Sequence, residues 1–304
     1  MSSHKHTGTY ILAALTIVVW SSTFISTKIL LALFTPAEIL LYRFTLAWVC
    51  MFAVYPRIHR WPKGSLSDTV RATARAEFPY LLAGITGGSL YFLAENYALR
   101  FSLASNVSLL VSTAPILTAI IAHFFLPSER LKSTIVSGAL IAFAGAALVI
   151  LNGTFVLRLH PAGDLLALSS ALCWAFYSVI IKKTSDGIHP LYLVRKIFFY
   201  TILTMLPLCI LPSFRSQIRF DFSALANPVM AFNLIFLTLF ASCGAYVSWN
   251  RVIKALGATR ANTFIYFIPL LTLIESAIIL KEPLTLFALG GAALILFGVY
   301  RSKQ

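Results

Sequence analysis

Residues 14–36 read ALTIVVWSSTFISTKILLALFTP, and residues 168–190 read LSSALCWAFYSVIIKKTSDGIHP. A shift of 154 positions lays one on the other, with Trp20 on Trp174, Lys28 on Lys182 and Pro36 on Pro190. The same shift carries Asn96 onto Asn250, Arg100 onto Lys254, Ala104 onto Ala258 and Pro115 onto Pro269. After one deletion the offset becomes 153, and Glu129, Gly138 and Gly145 fall on Glu282, Gly291 and Gly298. A single coincidence means little, but a constant offset across this many residue types is an internal repeat, with halves over 9–152 and 162–300.

Composition fixes the setting of that repeat. Of 304 residues, 59% are hydrophobic and 11% charged, where a soluble domain carries about 25% charged residues. Apolar runs separated by charges or turn residues give ten candidate spans, at 9–30, 36–55, 79–98, 103–126, 133–152, 162–181, 190–211, 229–249, 259–280 and 283–300. Each is near the ~20 apolar residues needed to cross a bilayer as helix. The expected fold is therefore an all-α polytopic membrane protein of ten transmembrane helices. The first span could pass for a secretion signal, but its counterpart around Trp174 is internal, so it belongs to the fold.

Five spans per half is an odd number, so the second half must enter the membrane from the opposite side, as two inverted five-helix repeats. With the N-terminus placed inside, the inner loops and ends carry fifteen Lys and Arg and the outer ones six. By the positive-inside rule both termini are cytoplasmic. That bias also accounts for the net charge of +14 without nucleic acid as a partner.

Catalytic signatures are missing. There is no phosphate-binding G-x-x-x-x-G-K-[ST], no H-E-x-x-H and no G-x-S-x-G. The longest stretch between spans, about 56–78, is too short for a catalytic domain, so neither enzyme activity nor a cofactor nor a metal is expected. Cys50, Cys173, Cys209 and Cys243 all sit in apolar runs and read as small packing residues.

The sequence resembles the drug/metabolite transporter superfamily, specifically the EamA type with two five-helix repeats. The resemblance rests on Trp20-Ser21-Ser22-Thr23 with Trp174, on Ala98-Leu99, and on Pro115 and Pro269. It rests also on Glu129 with Gly138 and Gly145, echoed by Glu282 with Gly291 and Gly298. It implies a central cavity and alternating access, and it implies no particular substrate.

Candidate cavity residues follow from depth in the spans. Trp20 and Trp174 lie in mid-span, where an indole N–H needs a partner or a cavity. Ser22 and Thr23, Tyr177, and Tyr91, Tyr246, Trp249 and Tyr266 add hydroxyls and aromatic rings. Ionisable groups inside a membrane are functional candidates because leaving water is costly. On that ground Glu95, Glu275 and Arg43 are coupling candidates, with Glu95 also a substrate ligand. Gly84, Gly87 and Gly88 allow close approach or local unwinding. Glu129 and Glu282 suit the starts of the fifth and tenth spans as caps, and Gly138, Gly145, Gly291 and Gly298, seven apart in pairs, suit a tight helix seam. His123 reads as a hydrogen-bonded interface residue.

The expected function is a secondary transporter exporting a small organic metabolite, such as an amino acid or an amphipathic compound, from a prokaryotic inner membrane. A membrane sensor or scaffold and a passive channel of the same fold are the alternatives. The partners are the lipid bilayer and a small-molecule substrate; a homodimer is compatible and not required.

Overall fold

The computed structural model describes residues 3–57, 66–101, 107, 110–151, 161–210, 218–219, 222–279 and 286–302. Regular structure among the described residues is helical throughout. The helices are α1 (Ser3–Leu30), α2 (Pro36–Val54), α3 (Leu66–Gly84), α4 (Leu90–Phe101), α5 (Ala114–Phe125), α6 (Ser133–Leu151) and α7 (Pro161–Thr184). They continue as α8 (Pro190–Ile210), α9 (Pro228–Phe236), α10 (Ala245–Leu256), α11 (Ala258–Asn262), α12 (Phe267–Ile279) and α13 (Leu286–Arg301). Among the described residues, Thr7–Leu30, Pro36–Val54, Pro161–Thr184 and Pro228–Leu256 are long and apolar enough to cross a membrane, and Ala114–Phe125, Ser133–Val149 and Leu289–Arg301 are shorter apolar helices. The architecture is that of an all-α polytopic membrane protein.

Local chemistry starts and stops these helices where the sequence changes character. The Thr35 hydroxyl accepts from the Glu38 N–H at 3.2 Å while the Glu38 carboxylate accepts from the Thr35 N–H at 2.8 Å, with Pro36 at the first helical position. This reciprocal box satisfies two otherwise orphaned donors. Asn227 caps α9 by accepting from the Val229 N–H at 2.9 Å. At the end of α10, Gly257 takes φ +90, and glycine alone adopts that conformation without strain.

Two segments leave the α-helical pattern at related places. Ile85–Ser89 between α3 and α4, and Leu237–Gly244 between α9 and α10, are π-helical turns. Gly87 in the first turn and Ala241 in the second are 154 residues apart, equivalent by the repeat. A π turn shifts the backbone bond register, which frees carbonyls to accept from side chains.

Helices of one half pack on helices of the other. The closest association joins α6 and α13; α4 and α5 lie on α7, α2 lies on α8, and α1 lies on α10 and α12. The α6–α13 seam is built on glycine. A Cβ on Gly145 would stand 2.6 Å from the Gly291 carbonyl oxygen, and one on Gly138 would stand 2.5 Å from the Gly298 carbonyl oxygen. Backbones that close gain van der Waals contact that lipid cannot match. At the centre, Phe44 and Phe198 meet edge to face 5.0 Å apart among Tyr177, Tyr246 and Trp249, all fully buried. Large apolar side chains such as Leu15, Leu172, Phe232 and Ile278 face outward, as a lipid-solvated surface requires.

Candidate functional site

Where the first-half and second-half helices meet, they enclose a cavity. Its apolar frame consists of pairs related by the 154-residue shift: Trp20 with Trp174, Phe92 with Tyr246, Val111 with Ile265, and Ala114 with Ile268. Pro115 and Pro269 explain part of this. Neither has an N–H to bond back to the residue four before it, and those residues are Val111 and Ile265. The fourth span accordingly breaks at Ser112–Thr113, and the ninth passes through a tight turn at Thr263–Tyr266.

The polar lining does not follow the repeat. Thr23, Arg43, Tyr91, Glu95 and Ser112 all come from the first half, and their counterparts at +154 are Tyr177, Ile197, Ala245, Trp249 and Tyr266. Arg43 Nε donates to Ser242 Oγ at 2.6 Å, and the guanidinium carbon Cζ lies 4.6 Å from the Phe92 ring centroid. Ser242 in turn donates to the Leu237 carbonyl across the π turn at 2.9 Å. Glu95 accepts from the Tyr91 hydroxyl at 2.9 Å. Both charged residues are buried, and neither makes an ion pair among the described residues. A cation over aromatic faces, fixed by a single hydroxyl, keeps unused donors pointing at the cavity.

The floor of the cavity is aromatic, and Trp20, Trp174 and Tyr246 are each hydrogen-bonded there, whereas the buried Trp249 Nε1 has no hydrogen-bond partner among the described residues. Trp20 and Trp174 meet edge to face at 5.2 Å, and the Trp20 ring also lies 5.0 Å from Trp249. Trp20 Nε1 donates to the Ala241 carbonyl at 3.2 Å, and the Tyr246 hydroxyl donates to the Gly87 carbonyl at 2.6 Å. These two acceptors are the equivalent carbonyls of the two π turns. Trp174 Nε1 instead donates to Asn262 Oδ1 at 3.0 Å, and Asn262 Nδ2 donates to Ser178 Oγ at 2.9 Å. Gly87 is required here, because a Cβ would enter the Tyr177 ring.

Several expected site residues stand elsewhere. Tyr177 lies beneath the cavity with its hydroxyl donating to Asn250 Oδ1 at 2.7 Å. Trp249 is fully buried behind Trp20, and Tyr266 is buried against the α6–α13 seam. Ser22 faces Glu275 on α12, outside the cavity lining. Glu129 does not cap the start of α6. Its two oxygens accept from the Ala258 and Thr259 N–H groups at 2.8 and 2.7 Å, so it caps α11 in the other half. Glu282 lies outside the described residues. His123 Nδ1 accepts from the Leu131 N–H at 3.2 Å.

Below the floor, at the end of the bundle carrying the 126–132 and 254–260 turns, cross-contacts close the structure. Besides the Glu129 cap, Lys182 donates to the Lys254 carbonyl at 3.0 Å and Lys254 donates to the Ser185 carbonyl at 3.0 Å. Lys196 pairs with Glu77 at 2.7 Å. Arg195 bonds the Tyr55 and Arg57 carbonyls, tying the end of α2 to α8. Sequence reasoning missed Phe24, Phe92, Val111, Ser112, Ala114, Ile265 and Ile268 in the lining and Asn262 and Ser242 beside it. Of these missed residues, Val111 and Ile265 carried a sequence signal, the proline four residues after each.

A helical membrane protein with a charged, aromatic cavity between two related halves, closed at one end, is built as a transporter rather than an enzyme. The profile of the EamA-like transporter family matches residues 7–151 and 161–302, and the chain belongs to that family. It is 26% identical over 296 residues to an uncharacterized transporter of Archaeoglobus fulgidus, covering 96% of each chain. It is 27% identical over 286 residues to a probable terminal-alkyne amino-acid exporter of Streptantibioticus cattleyicolor, covering 94% of this chain and 90% of that one. A solved crystal structure with 18% identity superposes with a TM-score of 0.73 over 97% of both chains, which establishes the shared fold.

Proposed function

We propose that the protein is a secondary transporter exporting a small zwitterion, an amino acid with an apolar side chain, by alternating access between two inverted five-helix repeats at 9–152 and 162–300. The observation that carries this reading is that Arg43 and Glu95 both line one aromatic cavity and neither makes an ion pair among the described residues. A substrate carboxylate meets the guanidinium, its ammonium meets Glu95, and the side chain takes the place of water against Trp20, Phe92 and Ile268. The name of the Streptantibioticus relative is in keeping with this substrate class and with export.

Ten spans with both termini cytoplasmic place the Glu129 cap and the lysine-to-carbonyl bonds at the inner face. In that orientation the conformation is closed inward, and transport requires those bonds to break while the outer half closes. The test is efflux from proteoliposomes loaded with a mixture of amino acids and read by mass spectrometry. Saturable efflux of one or a few apolar amino acids is expected, reduced far more than protein content by Arg43→Gln and by Glu95→Gln. Flux that never saturates would mean a channel, and no flux from intact, monodisperse protein would mean a scaffold.

A further inference from the structure

Two side chains of the cavity are hung on one turn of the eighth span. Trp20 Nε1 donates to the Ala241 carbonyl at 3.2 Å, and Arg43 Nε donates to Ser242 Oγ at 2.6 Å. Both acceptors belong to the π turn Leu237–Gly244. Ser242 is fully buried, and among the described residues it is the one hydrogen-bond partner of Arg43. Its hydroxyl donates in turn to the Leu237 carbonyl, five residues back, at 2.9 Å. On α-helical stretches such hydroxyls reach four residues back, as Thr238 does to Leu234 and Thr204 to Tyr200. The Ser242 bond therefore belongs to the π register, in which the Ala245 N–H likewise bonds the Phe240 carbonyl. An α-helical turn here would carry Leu237 out of reach and swing the Ser242 hydroxyl away from Arg43, by about 100° for one residue of register.

The first π turn, Ile85–Ser89, has no such link. The repeat places Gly88 at the position of Ser242 and Ile197 at the position of Arg43. A Cβ on Gly88 would run into Thr201 Oγ1, so packing keeps a side chain out of that position. What the two turns share is a donor from the opposite half, Trp20 on Ala241 and Tyr246 on Gly87. The arginine and the serine are an addition, which neither π turn needs in order to form.

We infer that Ser242 is a positioning residue for the substrate carboxylate and the relay that ties its binding to the helical register of the eighth span. Arg43 can offer a carboxylate two forks, Nε with one Nη, or both Nη groups together. Ser242 occupies Nε, which leaves the end-on fork. Substrate carboxylate and serine then hold different edges of one rigid plane. A guanidinium drawn towards a bound carboxylate pulls on Ser242 and, through it, on the Leu237 carbonyl. Beyond the turn, α10 runs to Leu256 and carries Lys254, which holds the Ser185 carbonyl at the closed end. The carboxylate assignment rests on the transport reading; the link between Arg43, Ser242 and the π turn does not.

Hydrogen–deuterium exchange of the protein in lipid nanodiscs tests the link without substrate. Ser242→Ala and Arg43→Gln should each speed amide exchange over 237–244 about fivefold, the worth of one net hydrogen bond, and leave 85–89 at the wild-type rate. Exchange over 237–244 at or below the wild-type rate overturns the inference. An equal rise over 85–89 also overturns it, because that is general loosening. Ser242→Gly, which copies the first turn, is the second variant should Ser242→Ala fail to elute as a monodisperse peak. In proteoliposomes loaded with apolar L-amino acids, Ser242→Ala should raise the half-saturating concentration about fivefold in the wild-type background. It should leave that concentration unchanged in Arg43→Lys, which has already lost the serine bond, and a further loss there overturns the positioning role. The amino acids should also change exchange over 237–256 in wild type and not in Ser242→Ala; the same response in both overturns the relay. A wild type that neither moves nor responds to the amino acids overturns the substrate reading alone, and the substrate-free exchange still decides the link.

Discussion

Trp20 and Trp174 lie 154 residues apart in sequence and touch edge to face, 5.2 Å between ring centroids at an angle of 84°. Their N–H groups have different partners, the Ala241 backbone carbonyl for one and the Asn262 side chain for the other. The repeat supplies a matched pair of rings, and the fold gives the two rings unequal duties. Trp20 is hung on a π turn, so its position follows the local register of the eighth span. Trp174 is tied to the network that leads down to the Ala258 carbonyl through Asn262.

Replacing each ring by phenylalanine separates those duties. Trp174→Phe strips the donor from buried Asn262 Oδ1 and should cost about 1–3 kcal/mol. Trp20→Phe should cost less, because the Ala241 carbonyl can turn to the shifted helical register. Both should reduce flux, and thermal unfolding in detergent should rank Trp174→Phe as the less stable.

Arg43→Lys is expected to behave as a loss, not a conservative change. The ammonium is a compact point charge that cannot keep the Ser242 bond, the Phe92 contact and a bidentate hold on a carboxylate together. Apparent affinity for a zwitterion should fall about tenfold, the equivalent of about 1.4 kcal/mol. Concentration dependence of efflux checks this, with abundance near wild type.

Glu129→Ala removes the cap from α11 and the contact between the two turns it joins. A stability loss of about 1–2 kcal/mol is expected, smaller for Glu129→Gln, which keeps an acceptor oxygen. A cysteine at Ser185 should react faster with a thiol reagent in Glu129→Ala than in wild type, measured in membranes open to the reagent from both sides.

Neighbouring glycines in α13 should differ sharply. A Cβ on Gly290 meets nothing within 4 Å, whereas one on Gly291 meets the Gly145 carbonyl oxygen at 2.6 Å. Gly291→Ala should destabilise by about 1–3 kcal/mol through overpacking, and Gly290→Ala should leave melting temperature at or slightly above wild type, since alanine favours helix.

The membrane orientation is tested with a cysteine at Ser65 in a cysteine-free background. An impermeant reagent should label it in inside-out vesicles and leave it unlabelled in intact cells. Labelling in intact cells would reverse the orientation read from the Lys and Arg count.

Much of the framework is legible in the amino-acid sequence. The apolar runs and the repeat, at a shift of 154 and then 153, point to helices, to the paired tryptophans and to the glycine seam, because each of these depends on residues close in sequence or on strict periodicity. The seam shows the limit of such reading. Gly138 corresponds to Gly291 in the repeat but meets Gly298, since the helices run antiparallel and the contact follows geometry rather than correspondence. Glu129 shows it again. A carboxylate before a helix reads as a cap for that helix, yet the free N–H groups that it finds belong to α11, brought beside it by the packing of the two halves.

The sequence by itself determined that this chain is helical, membrane-bound, internally repeated and without catalytic motifs, because hydropathy, spacing and composition are properties of the chain alone. Tertiary structure alone decided which ionisable groups face the cavity. Glu95 and Glu275 look alike in sequence, each an acid in the outer part of a span, but Glu95 turns to the cavity beside Tyr91 and Glu275 turns to two serines of α1. The direction of a side chain around its helix acquires meaning once the neighbouring helices are in place, and local π turns and prolines shift that direction in ways that periodicity does not encode.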